Sequence, residues 1–270
     1  MPATDLYDSH YGHVEAEVYR AVRVEAFGED LGQASWITAA ECDEFCQWLG
    51  LRPNQRVLEV ACGSGGTAVR MAERFGVSVV GVDVNPAAVG AATHRLTSPA
   101  GHSRVEFRVA DADRTLPFPD ESFDTLFCND SINHLRDRAR ALADWRRILR
   151  PGGRCFYTDP IVVTGCLSNA EIEARSSIGF FVFTPTGFNE AFLREAGFRL
   201  VLVADVTASV ARTSQRWREA RARRRDALCA IEGAARFDAL QRFLETVHTL
   251  ARERRLSRFA FMGENVARGL

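Results

Sequence analysis

The run Arg56-Val-Leu-Glu-Val-Ala-Cys-Gly-Ser-Gly-Gly66, followed by Val79-Val-Gly-Val-Asp83, constrains the fold of this 270-residue chain more than any other feature. Each piece reads as a short apolar strand. The first strand runs into a glycine turn and the second stops on a lone carboxylate. In an open α/β sheet, ligands sit beyond the carboxyl ends of such strands. Gly63 and Gly65 let the backbone approach a ligand where a Cβ would collide with it. Asp83 can accept two hydrogen bonds from a ribose diol. A nucleoside-containing cofactor is the first expectation.

Two cofactors fit the turn. Gly63-x-Gly65-x-x-Ala68, with Asp83 twenty residues beyond Gly63, satisfies the dinucleotide fingerprint. Glu59 pulls the other way, because an acid just before the turn repels a pyrophosphate and suits an ammonium group. The next strand, Val105-Glu-Phe-Arg-Val-Ala, ends in Asp111-Ala112, an acid placed to accept from an adenine amino group. Leu116-Pro-Phe-Pro-Asp-Glu-Ser-Phe-Asp124 and Leu149-Arg-Pro-Gly-Gly-Arg154 follow. As an ordered set over residues 55 to 160, these motifs resemble the class I S-adenosylmethionine (SAM)-dependent methyltransferases. The resemblance implies that Glu59, Ala61, Gly63 and Gly65 line the methionine end of SAM. Asp83 would hold the ribose and Asp111 and Ala112 would meet the adenine, with Val84 and Asn129 completing the cofactor set. Ala61 departs from the family, which carries glycine there. An NAD-linked oxidoreductase and a SAM-binding protein without catalysis are the alternatives.

Alternating strands and helices from residue 56 onward imply an α/β, Rossmann-like, mostly parallel sheet of seven strands with helices on both faces. Strands are predicted at 56–61, 78–83, 104–109, 123–129, 153–159, 198–204 and 256–263. Helices are predicted at 14–27, 38–49, 65–75, 86–96, 137–149 and 187–196. Thr38 and Glu41 read as a capping box, and Pro151-Gly-Gly as a helix stop. The expected division is a helical cap over 1–50 and a SAM-binding core over 51–204, with an active-site loop at 160–186. A helical insertion at 205–255 and a last strand within 256–270 complete it. The cap and the insertion are placed to close over the open end of the sheet as a lid.

A net charge of −1 supplies no field that would recruit nucleic acid or membrane. The arginine run Arg216–Arg225 is interrupted by Glu219 and reads as a solvated helix face. No leader or long apolar run is apparent, which points to the cytoplasm. Seven scattered cysteines read as free thiols, and Cys42 and Cys46 lack companions for a metal site. All 34 basic residues are arginine, which excludes lysine-nucleophile chemistry. The partner expected is a small-molecule acceptor, and homodimerisation is left open.

Catalysis centres on Phe127-Cys-Asn-Asp-Ser-Ile-Asn-His-Leu135, directly after the fourth strand. His134 is the best general base in the chain, and Asp130 could orient or charge it. Here the chain resembles the small-molecule branch that includes phosphoethanolamine and sarcosine-type N-methyltransferases. That branch carries Asp-x-x-x-His-Leu, matching Asp130, His134 and Leu135. It also carries Tyr-x7-Tyr and Phe-Gly-Glu, matching Tyr11, Tyr19 and Phe27-Gly-Glu29. By resemblance, Tyr11 partners the histidine and Arg175 corresponds to the anion-binding arginine. The tyrosines expected around Arg175 are replaced by Ser177, Pro160 and phenylalanines, which speaks against a phosphate-bearing substrate. Trp36, Phe180 and Phe183, with Phe188, form either an apolar acceptor wall or core. Such a wall would suit an aromatic acceptor or a methylated cation.

Overall fold

The chain was analysed as a computed structural model that describes residues 11–97 and 103–266. Two helices open the described chain, α1 (Glu17–Phe27) and α2 (Ala39–Leu49). The core follows as β1 (Arg56–Val60), α3 (Gly66–Phe75), β2 (Ser78–Asp83), α4 (Pro86–Arg95), β3 (Val105–Val109), β4 (Phe123–Cys128), α5 (Arg138–Ile148) and β5 (Leu149–Val163). Beyond it lie α6 (Asn169–Arg175), β6 (Thr184–Pro185), α7 (Phe188–Glu195), β7 (Arg199–Asp205), α8 (Thr207–Ala222), α9 (Arg225–Glu232), α10 (Ala234–Arg252) and β8 (Leu256–Glu264).

The sheet runs β3-β2-β1-β4-β5-β8-β7, with the two-residue β6 beside the end of β5. The pairs from β3 through β5 are parallel, whereas β8 is antiparallel to both β5 and β7. Because successive side chains alternate between faces, neighbouring residues enter different cores. Leu58, Val80, Leu126 and Tyr157 pack with Leu142 and Trp145 of α5. Val57, Val79, Phe127 and Phe156 pack with Phe45 of α2 and Met71 of α3. Strands buried on both faces are the reason these segments read as continuous apolar runs.

Three boundaries differ from expectation. Pro151-Gly-Gly lies inside β5, which already begins at Leu149, because α5 is capped directly by the strand that follows it. Residues 160–186 are not one loop: β5 continues to Val163, α6 starts on a Ser168–Glu171 capping box, and β6 pairs with β5. Thr38 caps α2 by accepting from the Glu41 amide, but the Glu41 carboxylate turns away to Arg258, so the reciprocal half of the expected capping box is not made.

Helices α8 to α10 stack against α1, with Tyr19 and Val22 buried against Ala220, Leu228 and Phe237. The arginine run acts as glue here. Arg223 and Arg224 both pair with Glu25 of α1, and Arg221 pairs with Glu232. No described helix is long and apolar enough to cross a membrane.

Candidate active site

A cleft of about 530 Å³ opens at the carboxyl ends of β1, β2 and β4. The chain reverses there through Ala61, Gly63 and Gly65, all with positive φ (58°, 52° and 77°). Alanine at 61 therefore adopts the left-handed backbone that glycine takes without cost, a strain on the order of 1 kcal/mol. A Cβ on Gly63 would lie 2.8 Å from the Tyr11 hydroxyl, so this glycine keeps the cleft open beneath the N-terminal segment. Gly65 has a different role from the one expected: a Cβ there would run into the Phe107 ring and Ala92, so it serves helix–sheet packing. The other expected cofactor positions, Glu59, Ala61, Gly63, Asp83, Val84, Asp111, Ala112 and Asn129, all line the cleft.

The cleft's electrostatics fit a cation at one end and a diol at the other. Glu59 is 3% exposed and its Oε2 has no hydrogen-bond partner. Burial, reinforced by Cys42 and Asp83, pushes its pKa well above the ordinary carboxylate value. A buried carboxyl of this kind is matched by an incoming ammonium group. Asp83 accepts from the Gly63 and Asn85 amides, one bond to each oxygen at 2.9 Å. Those bonds fix the carboxylate while leaving a lone pair on each oxygen for a ribose hydroxyl. Val84 is 62% exposed, an apolar face offered to a flat ring. These residues fit SAM: Glu59 would face its ammonium and Asp83 its ribose, with Val84, Asp111 and Ala112 placed to meet its adenosine. Bound there, it supplies a methyl group activated by a sulfonium centre.

A second, smaller chamber of about 80 Å³ lies behind the first. Four residues line both spaces, Ala34, Ser35, Asp130 and His134. The chamber's far wall is built by the helical layer, with Tyr19 and Arg23 from α1, Trp217 and Arg221 from α8, and Phe243 from α10. His134 thus stands at the junction of the two spaces. Its Nδ1 lies 2.8 Å from the Phe180 carbonyl. A carbonyl only accepts, so Nδ1 carries the proton and Nε2 the lone pair. Burial lowers the His134 pKa below 6.5, and the Arg175 charge adds to this against the pull of the Phe180 carbonyl.

Asp130 does not take the orienting role expected of it. One carboxylate oxygen accepts from Arg258 Nε at 2.7 Å and from the Thr158 hydroxyl at 2.8 Å. The other accepts from the Trp36 amide at 3.0 Å and the Asn129 side chain at 3.2 Å. Arg258, 0% exposed, also bonds Glu41 at 2.7 Å and Asn129 Oδ1 at 2.8 Å. Burial lowers its pKa, but Asp130 and Glu41 outweigh that and hold it firmly charged. Asn129 therefore belongs to this network as well as to the cleft. Asp130 has a left-handed backbone (φ 54°), which a short polar residue tolerates.

The remaining expected residues divide. Trp36 and Arg175 line the chamber, Arg175 lying over the Phe181 and Phe243 rings at 4.6 and 5.1 Å. Phe180 lines the cofactor cleft beside His134. Phe183 is core instead, packed with Ile161, Leu250 and Leu256, while Phe181 takes the wall position. Phe188 is exposed against Phe192. Tyr11 lines the cofactor cleft above Gly63.

A Rossmann-like sheet ending in this cleft, with a histidine between it and a second chamber, fits a SAM-dependent methyltransferase. The chain belongs to the methyltransferase family, with residues 58–157 matching its methyltransferase domain. It is 32% identical over 235 residues to 27-O-demethylrifamycin SV methyltransferase of Amycolatopsis mediterranei (strain S699), covering 81% of this chain and 85% of that one. It is 31% identical to phosphoethanolamine N-methyltransferase 1 of Zea mays over 74% of this chain, but spans only 39% of that enzyme. The fold superposes on Haemonchus contortus phosphoethanolamine N-methyltransferase 2, in complex with phosphomonomethylethanolamine and S-adenosylhomocysteine, with a TM-score of 0.83. That similarity spans 99% of this chain and 61% of that one at 22% identity, and speaks for the fold alone. The NAD-linked and non-catalytic alternatives draw no support from these relatives.

Proposed function

We propose that the protein methylates a hydroxyl oxygen of a small acceptor, with His134 as the general base and the helices α1 and α8 to α10 as a lid. The observation that carries this reading is the position of His134, which touches both spaces while its Nδ1–H is committed to the Phe180 carbonyl. An acceptor hydroxyl must lose its proton as oxygen attacks the methyl carbon, and a neutral imidazole presenting Nε2 can take it. Closure of the lid would align the reactants and exclude competing water.

The charge lining favours oxygen over nitrogen. Both carboxylates of the acceptor chamber are already paired, Asp130 with Arg258 and Glu232 with Arg221. A protonated amine would find no counter-charge there. Two of the aromatic faces, Phe181 and Phe243, already carry Arg175. The relatives include both an O-demethylrifamycin and a phosphoethanolamine enzyme. Arg175 stands among phenylalanines and lacks the tyrosines expected around a phosphate.

The test is His134→Ala and His134→Gln, assayed for SAM affinity by calorimetry and for methyl transfer by mass spectrometry against matched phenols and amines. Turnover on phenols should drop about 10²–10⁴-fold, the usual contribution of a positioned base, with SAM affinity unchanged. Undiminished turnover would remove the base assignment, and methylation of amines alone would remove the oxygen assignment.

A further inference from the structure

We propose that Asn133 selects the acceptor, requiring a carbonyl or carboxylate oxygen beside the reacting hydroxyl. This deepens the O-methylation reading and rests on it. Asn133 lies in the 3₁₀ turn Ile132–His134, immediately before the base, and lines the acceptor chamber. It is 0% exposed, and neither Nδ2 nor Oδ1 has a hydrogen-bond partner. Its backbone carbonyl is occupied by the Val182 amide, which anchors the turn and leaves the carboxamide as the part that faces the chamber.

A wholly buried carboxamide with both ends unsatisfied is unfavourable in the free protein, because each group has given up water for nothing. A leucine would fill similar space without that penalty. The arrangement becomes more favourable once a ligand brings an oxygen to accept from Nδ2, while the single proton of its hydroxyl is left for His134 Nε2. Two more atoms on the same chamber's walls lack partners, Arg23 Nη1 and Arg221 Nε, and both can only donate. The chamber therefore holds more unsatisfied donors than acceptors, which calls for an oxygen-rich acceptor rather than an amine. Trp36, Phe181, Trp217 and Phe243 supply flat apolar walls around this polar end. A planar hydroxy-carbonyl compound meets both demands. Asn133 would hold the carbonyl side while the hydroxyl turns toward His134 Nε2.

The experiment compares the wild type with Asn133→Leu on phenol, 2-hydroxyacetophenone and 2-hydroxybenzoate, with SAM as methyl donor. For the two carbonyl-bearing probes, kcat/KM should fall roughly 10–100-fold in the leucine variant, chiefly through KM, as expected for a lost hydrogen-bonding pair. Phenol should lose less than the two carbonyl-bearing probes, and SAM affinity should stay within about threefold. An unchanged preference among the three probes would overturn the proposal. If no probe turns over, 2-hydroxybenzoate binding to the S-adenosylhomocysteine complex, measured by calorimetry, decides. Binding lost in the variant supports the assignment and no binding to the wild type refutes it. A second measurement is independent of the acceptor. Removing two unsatisfied buried groups should raise the melting temperature of the free protein by roughly 2–4 °C, whereas a structural asparagine would lower it on replacement. A lowered melting temperature therefore refutes the assignment of Asn133 even if hydroxyl methylation stands. Loss of the His134 effect alone refutes hydroxyl methylation while leaving the stability result intact.

Discussion

Replacing Arg258 by methionine is the sharpest perturbation of the site's architecture. The guanidinium is fully buried and joins Asp130, Glu41 and Asn129, so its removal strands two carboxylates. Asp130 retains its bonds from Thr158 and the Trp36 amide, but Glu41 Oε2 has no hydrogen-bond partner even with the arginine in place. Breaking a buried ion pair by deleting one member costs about 3–5 kcal/mol. At about 2–4 °C per kcal/mol for a chain of this size, the melting temperature should fall on the order of 10 °C. The sign of the pH dependence follows from proton binding. Carboxylates buried without a counter-charge take up protons more readily folded than unfolded, so the variant loses stability as pH rises. Its deficit relative to the wild type should therefore be smaller near pH 5 than near pH 8, as read by calorimetric melting at both. Adding Asp130→Asn and Glu41→Gln should recover much of the loss, because neutral groups need no counter-ion. A melting temperature within about 2 °C of the wild type, or a deficit independent of pH, would refute the view that Arg258 holds the site by charge.

Other outcomes follow from the same geometry. Asp83→Ala removes both the candidate ribose acceptors and the anchor of the Gly63 amide, so SAM affinity should fall roughly 10–100-fold by calorimetry. Glu59 has its pKa raised by burial, and an arriving ammonium favours its ionised form, so SAM binding should release protons. Calorimetry in buffers of different ionisation enthalpy measures that release, and Glu59→Gln should abolish the buffer dependence. The lowered pKa of His134 places the neutral base above it, so kcat should rise with pH through a limb below about 6.5 and then level off. His134→Gln should lack that limb in a pH–rate profile.

Much of the fold was legible because parallel strands buried on both faces announce themselves as apolar runs, and Glu59 and Asp83 stand at or next to the ends of two of them. The ionic centre of the site was not. Arg258 sits in Leu-Ser-Arg-Phe-Ala-Phe261, where it looks like an outward residue of an edge strand. Only the antiparallel insertion of β8 between β5 and β7 turns it inward beneath Asp130. The aromatic wall shows a related difficulty. Phe181 and Phe183, two residues apart, both pack against Ile161, Leu250 and Leu256, and only Phe181 also lines the chamber. Asn133 was hidden for a third reason: nothing local distinguishes a carboxamide that finds partners from one that does not.

The contact of Tyr19 with Glu232 joins residues 213 positions apart, and Arg258 reaches back 217 positions to Glu41. Most of the cofactor cleft is drawn from residues before 136, whereas the acceptor chamber needs α8 to α10 and its polar anchor waits for β8. The two ends of the chain are thus tied to one another across the active centre, so Asp130 and Asn129 in the cleft reach their final places only when the last strand is in the sheet.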